Sequence, residues 1–519
     1  MSQPQQRIHL VGIGGSGMSP LAEVLHARGH RVSGSDLVGS GVTQRLASLG
    51  MRICLGHDAA NLGDAQVLVT STAVQPDNPE LLAARVKGLP IWGRAQMLAE
   101  LMQGQFSIAV TGTHGKTTTT ALVSAVLAEA GLDPTTLVGG ALQANGSHVR
   151  LGASQTMVVE ADESDASFLH LNPTLAVLTN IDADHMDTFG QSLQRLQDAF
   201  VDFVHRLPES GQVVLCSDDA GVQQILPRLQ RTVVSYGLGP QASLRGTDLQ
   251  ALPGGGMRFV ACQPGHPDLP LQLALSGEHN VRNALAAIAV LRLLSKQLQQ
   301  PQQPQPESGG AAALLATEAD TDAACQRALL GFTGVGRRFE SHGEWPCAHG
   351  GSFLLIDDYG HHPVELAAVI QAARGAFGQR RLQVVFQPHR YSRTRDCFAD
   401  FVQVLSKADA VLLTEVYPAG EAAIAGADAQ VLAQSLQAAG TPTHLVPVLA
   451  DLPAALQRLA RAGDVVVSLG AGSIGSLPQR LRQFRQQSLQ PQGAAQGLRS
   501  KVVEAPQSSA AADESGVAA

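Results

Sequence analysis

One short segment constrains the fold of this chain more than any other: an apolar strand that runs into a glycine-containing loop and then into a helix. The strand is predicted over Phe106–Thr111 and the helix over Thr117–Ala130. Backbone N–H groups at a helix N-terminus bind phosphate, and a lysine and threonine there suit nucleotide phosphates and Mg²⁺. The segment therefore predicts an α/β unit that binds ATP. Its loop residues are Gly112, Thr113, His114, Gly115, Lys116, Thr117 and Thr118.

The alternation of strands and helices starts three times along the 519 residues, which predicts three α/β units with mostly parallel sheets. The second unit begins with the phosphate loop and the third near residue 353. A Gln- and Pro-rich segment, 297–310, is predicted to be a surface loop because it cannot build a core. The predicted boundaries are 1–105, 106–336 and 337–485 for the three domains and 486–519 for a disordered tail.

Composition and charge exclude several classes of protein. Hydrophobic residues make up 44% of the chain and charged residues 15%, as in a folded globular protein. The net charge of −8 argues against nucleic acid as a partner. No stretch approaches the roughly 20 apolar residues of a membrane span. The six cysteines are scattered without a C-x-x-C pair, which argues against a zinc site and a disulfide framework and predicts a reducing, cytoplasmic setting.

Two further strand ends carry residues that suit a metal ion. The strand predicted over Thr156–Glu160 leads into an acidic stretch, in which Glu160 is the candidate Mg²⁺ ligand and a solvated turn is the alternative. The strand predicted over Leu175–Asn180 leads to His185, which is either a second metal ligand or a capping histidine. Carboxyl ends of parallel strands lie at one edge of a sheet, so both residues are expected beside the phosphate loop.

A second glycine-rich turn, Gly12–Gly17, joins the first predicted strand to the first helix and follows the pattern G-x-G-x-x-G. Asp36 stands at the end of the next strand, as in dinucleotide-binding folds. Such a turn binds the pyrophosphate of NAD or of a UDP-sugar, so both ligands stay open at this point. The candidate contacts are Gly14, Gly15, Ser16, Gly17 and Asp36.

In the third unit, two strand ends collect histidine, arginine and tyrosine side chains. Arginine binds carboxylates in a bidentate manner, so this grouping predicts a site for a small polar substrate that bears a carboxylate. The alternative is a pair of surface loops with ordinary charge. The candidate residues are Tyr359, His361, His362, Arg390 and Arg393.

Taken in order, these motifs resemble those of the Mur ligase family from His9 to about Gly475. The resemblance is strongest to the members that add L-alanine to UDP-N-acetylmuramate. It implies a Rossmann-like domain for the UDP-sugar, a central ATPase domain with the phosphate loop, and a Rossmann-like domain for the amino acid. The segments that carry it are HLVGIGGSGMS, RAQMLAEL, TGTHGKTTTT, EADESDASFL, TNIDADHMD, GEHNVRNALAA, GVGRRFE, DDYGHHP and QPHRYSRT.

The resemblance also implies a reaction and a set of residues. ATP and Mg²⁺ would convert the lactyl carboxylate of the nucleotide sugar into an acyl phosphate, which L-alanine would attack, in peptidoglycan precursor synthesis. Lys116, with the metal, would neutralise charge during phosphoryl transfer. The implied metal ligands are Thr117, Glu160 and His185, the implied nucleotide contacts are Asn280, Asn283 and Arg338, and the implied substrate contacts include Ser71, Thr72, Tyr359, His361, His362, Arg390 and Arg393.

Some points depart from the family pattern or leave alternatives open. No lysine follows His185 as far as Pro208, so the carbamylated lysine of several family members is absent here. Val110 stands where the common phosphate-loop pattern has its first glycine, as in the family's own form of the loop. The alternatives are a sister ligase that attaches a tripeptide to the same nucleotide sugar, an NAD-dependent dehydrogenase, and a non-catalytic nucleotide-binding module. The oligomeric state stays open.

Overall fold

The computed structural model describes residues 5–143, 146–299 and 317–489, whose strands form three sheets. The first sheet has five parallel strands in the order β3-β2-β1-β4-β5. Strands β2 and β3 lie on one side of β1, and β4 and β5 lie on the other, so the strand order reverses at β1. Loops at such a reversal form a crevice for ligands. The elements are β1 (Arg7–Val11), α1 (Met18–Ala27), β2 (Arg31–Asp36), α2 (Gly41–Ser48), β3 (Arg52–Leu55), β4 (Val67–Thr70), α3 (Pro79–Val86), β5 (Ile91–Gly93) and α4 (Arg94–Met102).

The second sheet has ten strands and contains the phosphate loop at its centre. Its order is β15-β14-β13-β12-β11-β10-β6-β9-β7-β8, and the strands from β13 to β7 in that order are parallel. Its strands are β6 (Phe106–Thr111), β7 (Thr135–Leu142), β8 (Ser147–Arg150), β9 (Thr156–Glu160), β10 (Leu175–Leu178), β11 (Gln212–Cys216), β12 (Thr232–Gly237), β13 (Leu244–Ala251), β14 (Met257–Cys262) and β15 (Leu269–Leu273). The helices are α5 (Lys116–Glu129), α6 (Leu193–His205), α7 (Ala220–Ile225), α8 (Glu278–Gln299) and α9 (Glu318–Leu330).

The third sheet has six strands in the order β16-β17-β21-β18-β19-β20, of which the edge strand β16 is antiparallel to its neighbour. Its strands are β16 (Glu340–Pro346), β17 (Ser352–Asp358), β18 (Leu382–Phe386), β19 (Ala410–Leu413), β20 (Thr443–Leu445) and β21 (Val465–Leu469). The helices are α10 (Pro363–Phe377), α11 (Tyr391–Asp396), α12 (Phe398–Leu405), α13 (Ala429–Ala438), α14 (Leu452–Leu459) and α15 (Leu477–Leu489). Short 3-10 turns cover Ala59–Leu62, Ser167–His170, Leu226–Arg228, Leu449–Asp451 and Ser473–Ser476.

The predicted fold class, three α/β units with mostly parallel sheets, is confirmed. The predicted strand Phe106–Thr111 is β6, and the helix after the loop begins one residue earlier than predicted, at Lys116. Helices α8 and α15 end at Gln299 and Leu489, so they extend slightly into the segments predicted as loop and tail. The remainder of 297–310 and 486–519 lies outside the described residues. Within the described part of the chain, no helix is both long and apolar enough to cross a membrane.

The first two units share an apolar core. Met97 and Leu101 of α4 belong to the same buried cluster as Met157 and Phe168 of the central unit. Arg28 of the N-terminal unit also reaches the junction: its Nη1 donates a hydrogen bond of 2.7 Å to the Leu101 carbonyl of α4, and its Nη2 lies 3.9 Å from the sulfur of Met157 in the central unit. The third sheet is covered on its two faces by separate clusters, so the C-terminal unit has a core of its own.

The N-terminal unit also contains a buried carboxylate that ties α3 to the sheet. Glu80 is fully buried, and its two oxygens accept hydrogen bonds of 2.6 Å from the Ser35 hydroxyl and from the Asn61 amide. The imidazole of His9 lies 3.5 Å from the same carboxylate. Burial by itself would raise the Glu80 pKa, but the hydrogen bonds from His9, Ser35 and Asn61 outweigh burial and lower the pKa to about 2.

We therefore expect Glu80→Gln to destabilise the N-terminal unit by about 1–3 kcal/mol at pH 7, because the new amide N–H groups would face existing donors. Since the folded-state pKa is about 2, below the ordinary 4.5, the stabilisation by Glu80 is present above pH 4.5 and is lost as the pH falls towards 2. Urea unfolding followed by Trp92 fluorescence, in a Trp345→Phe background, measures both effects. Asp64→Asn removes an exposed carboxylate from the same unit and should leave the midpoint unchanged. Equal midpoints for Glu80→Gln and its parent at pH 7 would contradict the expectation.

Candidate active site

The phosphate loop joins β6 to α5 through two glycines with positive φ. Gly112 has φ +123°, and a Cβ there would overlap the Thr179 hydroxyl and lie 2.8 Å from the Asn180 carbonyl oxygen. Gly115 has φ +81° and precedes the first helical residue, Lys116. Asn180 holds the loop from the next strand end, since the backbone N of His114 donates to its Oδ1 at 2.8 Å and its Nδ2 donates to the His114 carbonyl at 2.9 Å. The loop is thus built for close backbone approach to an anion.

Lys116 is a buried cation held back against its own loop. Its Nζ donates to the Gly112 carbonyl at 2.8 Å and to the Thr113 carbonyl at 3.1 Å, and it forms an ion pair of 2.7 Å with Glu163. Asp162 lies 3.8 Å from the same nitrogen. Burial alone would lower the Lys116 pKa, but these carboxylates raise it, so the side chain is charged at neutral pH.

Thr117 and Glu160, both predicted metal ligands, are in direct contact. The Thr117 hydroxyl donates to Glu160 Oε1 at 2.9 Å, and the backbone N of Gly139 donates to Glu160 Oε2. The carboxylate therefore stands at the first turn of α5, beside the phosphate loop. Hydroxyl and carboxylate oxygens are the ligands that Mg²⁺ prefers, so the two residues fit that ion.

A cavity of about 460 Å³ opens next to this pair and is lined by all three units. The N-terminal unit contributes its glycine-rich turn, the central unit contributes the metal-binding candidates, and the C-terminal unit contributes one arginine. Among its lining residues are Ser16, Gly17, Thr72, Arg94, Glu160, Asp162, His185 and Arg390. The cavity therefore brings predicted sugar-nucleotide, metal and substrate contacts to one place.

His185 lies in this cavity in a left-handed backbone conformation, φ +56°. Its backbone N donates to Asp184 Oδ1 at 2.8 Å, and its Nε2 is 3.7 Å from the other oxygen of Asp184. Burial lowers the His185 pKa, so the ring is neutral at pH 7 and keeps a nitrogen lone pair that suits a metal. The N-cap of the next helix, α6, is Ser192, so His185 does not cap that helix, and its role as a metal ligand stays a prediction.

A second cavity of about 310 Å³ lies between the phosphate loop and the C-terminal unit. Asn280 and Asn283, at the start of α8, line it together with Arg338. The two amides are linked, because Asn283 Nδ2 donates to Asn280 Oδ1 at 3.1 Å. Residues that the sequence did not single out also line this cavity, namely Asp218, Tyr236, His279, Arg282, Phe339 and Glu365.

His114 of the phosphate loop connects the central unit to the C-terminal unit. Its Nε2 is 3.1 Å from Asp182 Oδ2, and its Nδ1 is 3.3 Å from Oε1 of Glu365 on α10. Burial alone would lower the His114 pKa, but hydrogen bonds and charge from Asp182 and Glu365 raise it to about 9. The ring is therefore an imidazolium between two carboxylates at neutral pH.

A second ion pair crosses the same boundary. Arg393 Nη2 donates to Asp184 Oδ1 at 2.7 Å, and both side chains are at least nine-tenths buried. Burial opposes the ionisation of Asp184, but the Arg393 cation outweighs it and holds the Asp184 pKa well below its usual range. Arg393, predicted to contact substrate, is thus engaged with a carboxylate of the central unit.

Two other predicted residues of the C-terminal unit, Tyr359 and His361, form an aromatic row with His389, which was not predicted. The ring of Tyr359 packs edge-on against His361, and His361 packs edge-on against His389. Arg338 lies over the ring of Tyr359, with its Cζ 5.1 Å from the ring centroid. Burial lowers the pKa of His361 and of His389 to about 4, so both rings are neutral at pH 7. This row runs from the boundary of the second cavity towards Arg390.

Models of known protein families match the chain along most of its length. The Mur ligase family, catalytic domain, matches residues 7–106, and the Mur ligase middle domain matches residues 110–291. The Mur ligase, glutamate ligase domain, matches residues 337–472. The chain belongs to the Mur ligase family. The resemblance predicted from the motifs is therefore confirmed.

Relatives of this Mur ligase that are similar over almost their whole length carry the same enzyme name. The UDP-N-acetylmuramate–L-alanine ligase of Leptothrix cholodnii is 54% identical over 487 residues, which cover 93% of this chain and 98% of the relative. The enzyme of the same name from Methylibium petroleiphilum is 55% identical, with 92% and 98% covered. The solved structure of the UDP-N-acetylmuramate–alanine ligase of Thermotoga maritima is 29% identical and superposes with a TM-score of 0.75, covering 93% of this chain and all of that one.

The glycine-rich turn of this Mur ligase packs against Asp36, as its sequence pattern predicts. The backbone N of Gly14 donates to Asp36 Oδ2 at 2.8 Å, and a Cβ on Gly14 would lie 2.9 Å from that oxygen. Ser16 and Gly17 face the first cavity, as does Thr72, whose hydroxyl donates to Asp165 of the central unit at 3.4 Å. Ser71 precedes Thr72 just after β4. The roles predicted for these residues stay predictions.

Several residues of the Mur ligase site were missed by the reasoning from sequence. Glu163, Asp182 and Asp184 lie inside segments that had been singled out, and their acidic character was the available signal. Glu365 gave no such signal, because its contact with His114 spans 251 residues of sequence. Arg94 is the basic residue of the segment RAQMLAEL and faces the first cavity.

We expect Gly112→Ala to weaken ATP binding about ten- to a hundredfold. An alanine at φ +123° would be strained and would push against Thr179 and Asn180, so the loop would have to move at a cost of about 1–3 kcal/mol. Isothermal titration calorimetry with Mg²⁺ and ATP measures the change. Gly104→Ala is the matched control, because Gly104 also has positive φ, +71°, but has open space around its Cβ position. Equal affinities for the two variants would show that the steric argument is wrong.

Proposed function

We propose that this Mur ligase joins L-alanine to the lactyl carboxylate of UDP-N-acetylmuramate, with release of ADP and phosphate, in the synthesis of peptidoglycan precursors. The observation that carries the proposal is the first cavity, in which the glycine-rich turn, Glu160, His185 and Arg390 face one another across three units. A reaction that joins a nucleotide sugar, a phosphoryl donor and an amino acid requires such a meeting point. The names of the relatives that are more than half identical support the same substrates.

The residues present fit ATP and Mg²⁺. Gly112 and Gly115 admit no side chain, because a Cβ at these positions would press against Thr179, Asn180 or Asn283, and the Lys116 Nζ lies 2.8 Å from the Gly112 carbonyl oxygen of this loop. Thr117 and Glu160 offer oxygen ligands in contact with each other, and His185 lies in the same cavity. ATP with Mg²⁺ supplies the phosphoryl group that turns a carboxylate into an acyl phosphate, an electrophile that an amine can attack.

In this proposal the side chains of the enzyme bind and orient the substrates and neutralise the charge of the phosphate groups. Lys116 places a largely buried positive charge beside the loop where phosphoryl oxygens would lie. When phosphate binds, the Lys116 ammonium group would interact with both the phosphate and Glu163. Asn280, Asn283 and Arg338 line the second cavity and are assigned to the nucleotide. The glycine-rich turn with Asp36, together with Ser71 and Thr72, is assigned to the sugar nucleotide.

The C-terminal residues are assigned to L-alanine and to the reacting carboxylate. Arg390 is the cation that the C-terminal unit contributes to the first cavity, and its guanidinium suits a carboxylate. His361 is neutral at pH 7, so a ring nitrogen is available to accept a proton or hydrogen bond from the amine. In the second step the amine nitrogen bonds to the acyl carbon, phosphate leaves, and the amine loses a proton.

Phosphate release in the presence of ATP, Mg²⁺ and UDP-N-acetylmuramate tests the amino-acid substrate. We expect kcat/KM with L-alanine to exceed that with a recycled cell-wall tripeptide by at least about tenfold, a difference of about 1.4 kcal/mol. Faster release with the tripeptide would identify the sister ligase instead. Release without any acceptor sugar would point to a simple ATPase. Saturable NADH binding in place of sugar-nucleotide binding would support the dehydrogenase reading, which leaves the phosphate loop, Glu160 and His185 without a role.

We expect Lys116→Ala to reduce turnover at least about 100-fold, because a buried positive charge at the phosphoryl group is lost. Binding of UDP-N-acetylmuramate should stay within about twofold, because the glycine-rich turn that is assigned to it lies on a different sheet. Coupled phosphate release and calorimetric titration measure the two quantities. Lys296→Ala removes an exposed lysine from the same unit and should change neither. An equal loss of turnover and sugar-nucleotide binding in Lys116→Ala would contradict the separation of the two sites.

A further inference from the structure

Three side chains at the boundary of the central and C-terminal units have the composition of a transition-metal site. They are His114 of the phosphate loop, Asp182 after β10, and His362 at the start of α10. One ligand atom from each lies within 4.8 Å of the others. None of the three is among the residues assigned to Mg²⁺, which are Thr117, Glu160 and His185.

The orientation of His362 is the first observation that points to a ligand. Its side chain is 9% exposed, and its Nδ1 is buried with no hydrogen-bond partner among the described residues. That nitrogen is 4.0 Å from Asp182 Oδ2. The other ring nitrogen, Nε2, lies 3.8 Å from the Cys397 Sγ, and burial raises the pKa of that thiol to about 11. In the tautomer that carries its proton on Nε2, beside the sulfur, the Nδ1 lone pair faces Asp182.

The surroundings of His114 give the second observation. Its Nε2 is 3.1 Å from Asp182 Oδ2, and its Nδ1 is 3.3 Å from Glu365 Oε1. A carboxylate on the far nitrogen of a metal-binding histidine fixes the ring and its tautomer, and this arrangement recurs around protein zinc ions. Glu365 is itself held in place, since its Oε2 accepts from the backbone N–H groups of His361 and His362 at 2.9 and 3.2 Å.

The distances are close to those of a tetrahedral ion. Ligands about 2.0–2.1 Å from a tetrahedral metal are about 3.3–3.4 Å from one another. The separations of 3.1 and 4.0 Å measured from Asp182 Oδ2 bracket that value, and the two imidazole nitrogens lie within 4.8 Å of each other, so shifts of up to about 1.5 Å would complete the geometry. Asp182 is 35% exposed, which gives an ion a path from solvent and leaves a fourth position for water.

The charges nearby also suit a divalent cation. The ion would replace the proton on His114, and its charge would face the carboxylates of Asp182 and Glu365. Arg393, a cation at the same boundary, is neutralised by Asp184 at 2.7 Å. Two imidazoles and one carboxylate select zinc and its neighbours in the transition series over Mg²⁺, which prefers oxygen ligands alone.

We propose that His114, Asp182 and His362 bind a divalent transition-metal ion of the zinc type, which links the phosphate loop to the C-terminal unit. The proposal is independent of the substrates assigned above, because it concerns binding of the metal alone. The cysteine spacing argued against a zinc site, but this site uses no cysteine and joins residues that are distant in sequence.

Co²⁺ is the probe for variants, since a tetrahedral Co²⁺ site absorbs visible light, and excess Mg²⁺ in the solution fills the magnesium position. We expect one equivalent of this signal in the full-length protein. His362→Gln and the isosteric Asp182→Asn should each abolish it, and Glu365→Gln should weaken Co²⁺ binding about 10- to 100-fold. His266→Gln is the matched control, because His266 also pairs with a carboxylate, Glu318 at 3.2 Å, but lies away from the site. Two results would overturn the proposal. One is a Co²⁺ signal that is retained in His362→Gln, and the other is a signal that only His185→Gln abolishes, which would place the ion at the magnesium position.

X-ray absorption of the unmodified protein loaded with one equivalent of Zn²⁺ tests the same site without relying on any variant. We expect a shell with two imidazoles and oxygen ligands, from His114, His362 and Asp182. The magnesium position offers a single imidazole, His185, so a shell with one imidazole or none would refute the proposal. Circular dichroism of each variant confirms that a lost Co²⁺ signal reflects a lost ligand and not an unfolded chain.

Discussion

Two ion pairs join the C-terminal unit to the central unit beside the phosphate loop. His114 is held between Asp182 and Glu365, and Asp184 is paired with Arg393. Buried charges are tolerated when they are paired, and removal of one partner typically costs about 3–5 kcal/mol. Both cavities depend on this placement, since Glu365 lines the second cavity and α11, which carries Arg393, begins directly after Arg390 of the first.

The other junction in the molecule is of a different kind. The N-terminal unit and the central unit share an apolar core through α4, whereas the C-terminal sheet is covered by its own clusters. Apolar burial holds surfaces together without regard to direction, while ion pairs can be exchanged for contacts with charged ligands. The C-terminal unit is therefore the part best suited to move when nucleotide and amino acid bind, as expected of an enzyme whose substrates meet between domains.

The local parts of this site could be predicted from sequence because their signals are local. The strand β6, the two glycines of the loop and Lys116 occupy a few consecutive residues, and strand ends such as Glu160 fall beside the loop in any parallel sheet. Glu365 could not be found in this way, since its partner His114 is 251 residues away and the contact depends on how two units dock. The partner of Arg393 could not be predicted for the same reason. The sequence suggested a substrate carboxylate, but the carboxylate that Arg393 binds is that of Asp184 in the central unit, 209 residues away.

The charges around Lys116 affect whether the nucleotide binds as the free anion or together with a divalent cation. Glu160, Asp162 and Glu163 surround one lysine cation, and Glu163 Oε1 is buried without a hydrogen-bond partner among the described residues. Burial raises the Glu163 pKa to about 7, but Glu160 and Asp162 alone outnumber the single Lys116 charge, so a bare polyphosphate would meet an excess of negative charge that is weakly screened. A phosphate that arrives with a divalent cation would instead find the carboxylate of Glu160 and the hydroxyl of Thr117 ready to accept that cation. The same acidic cluster that holds Lys116 in place thus favours the metal-bound form of the nucleotide over the free one.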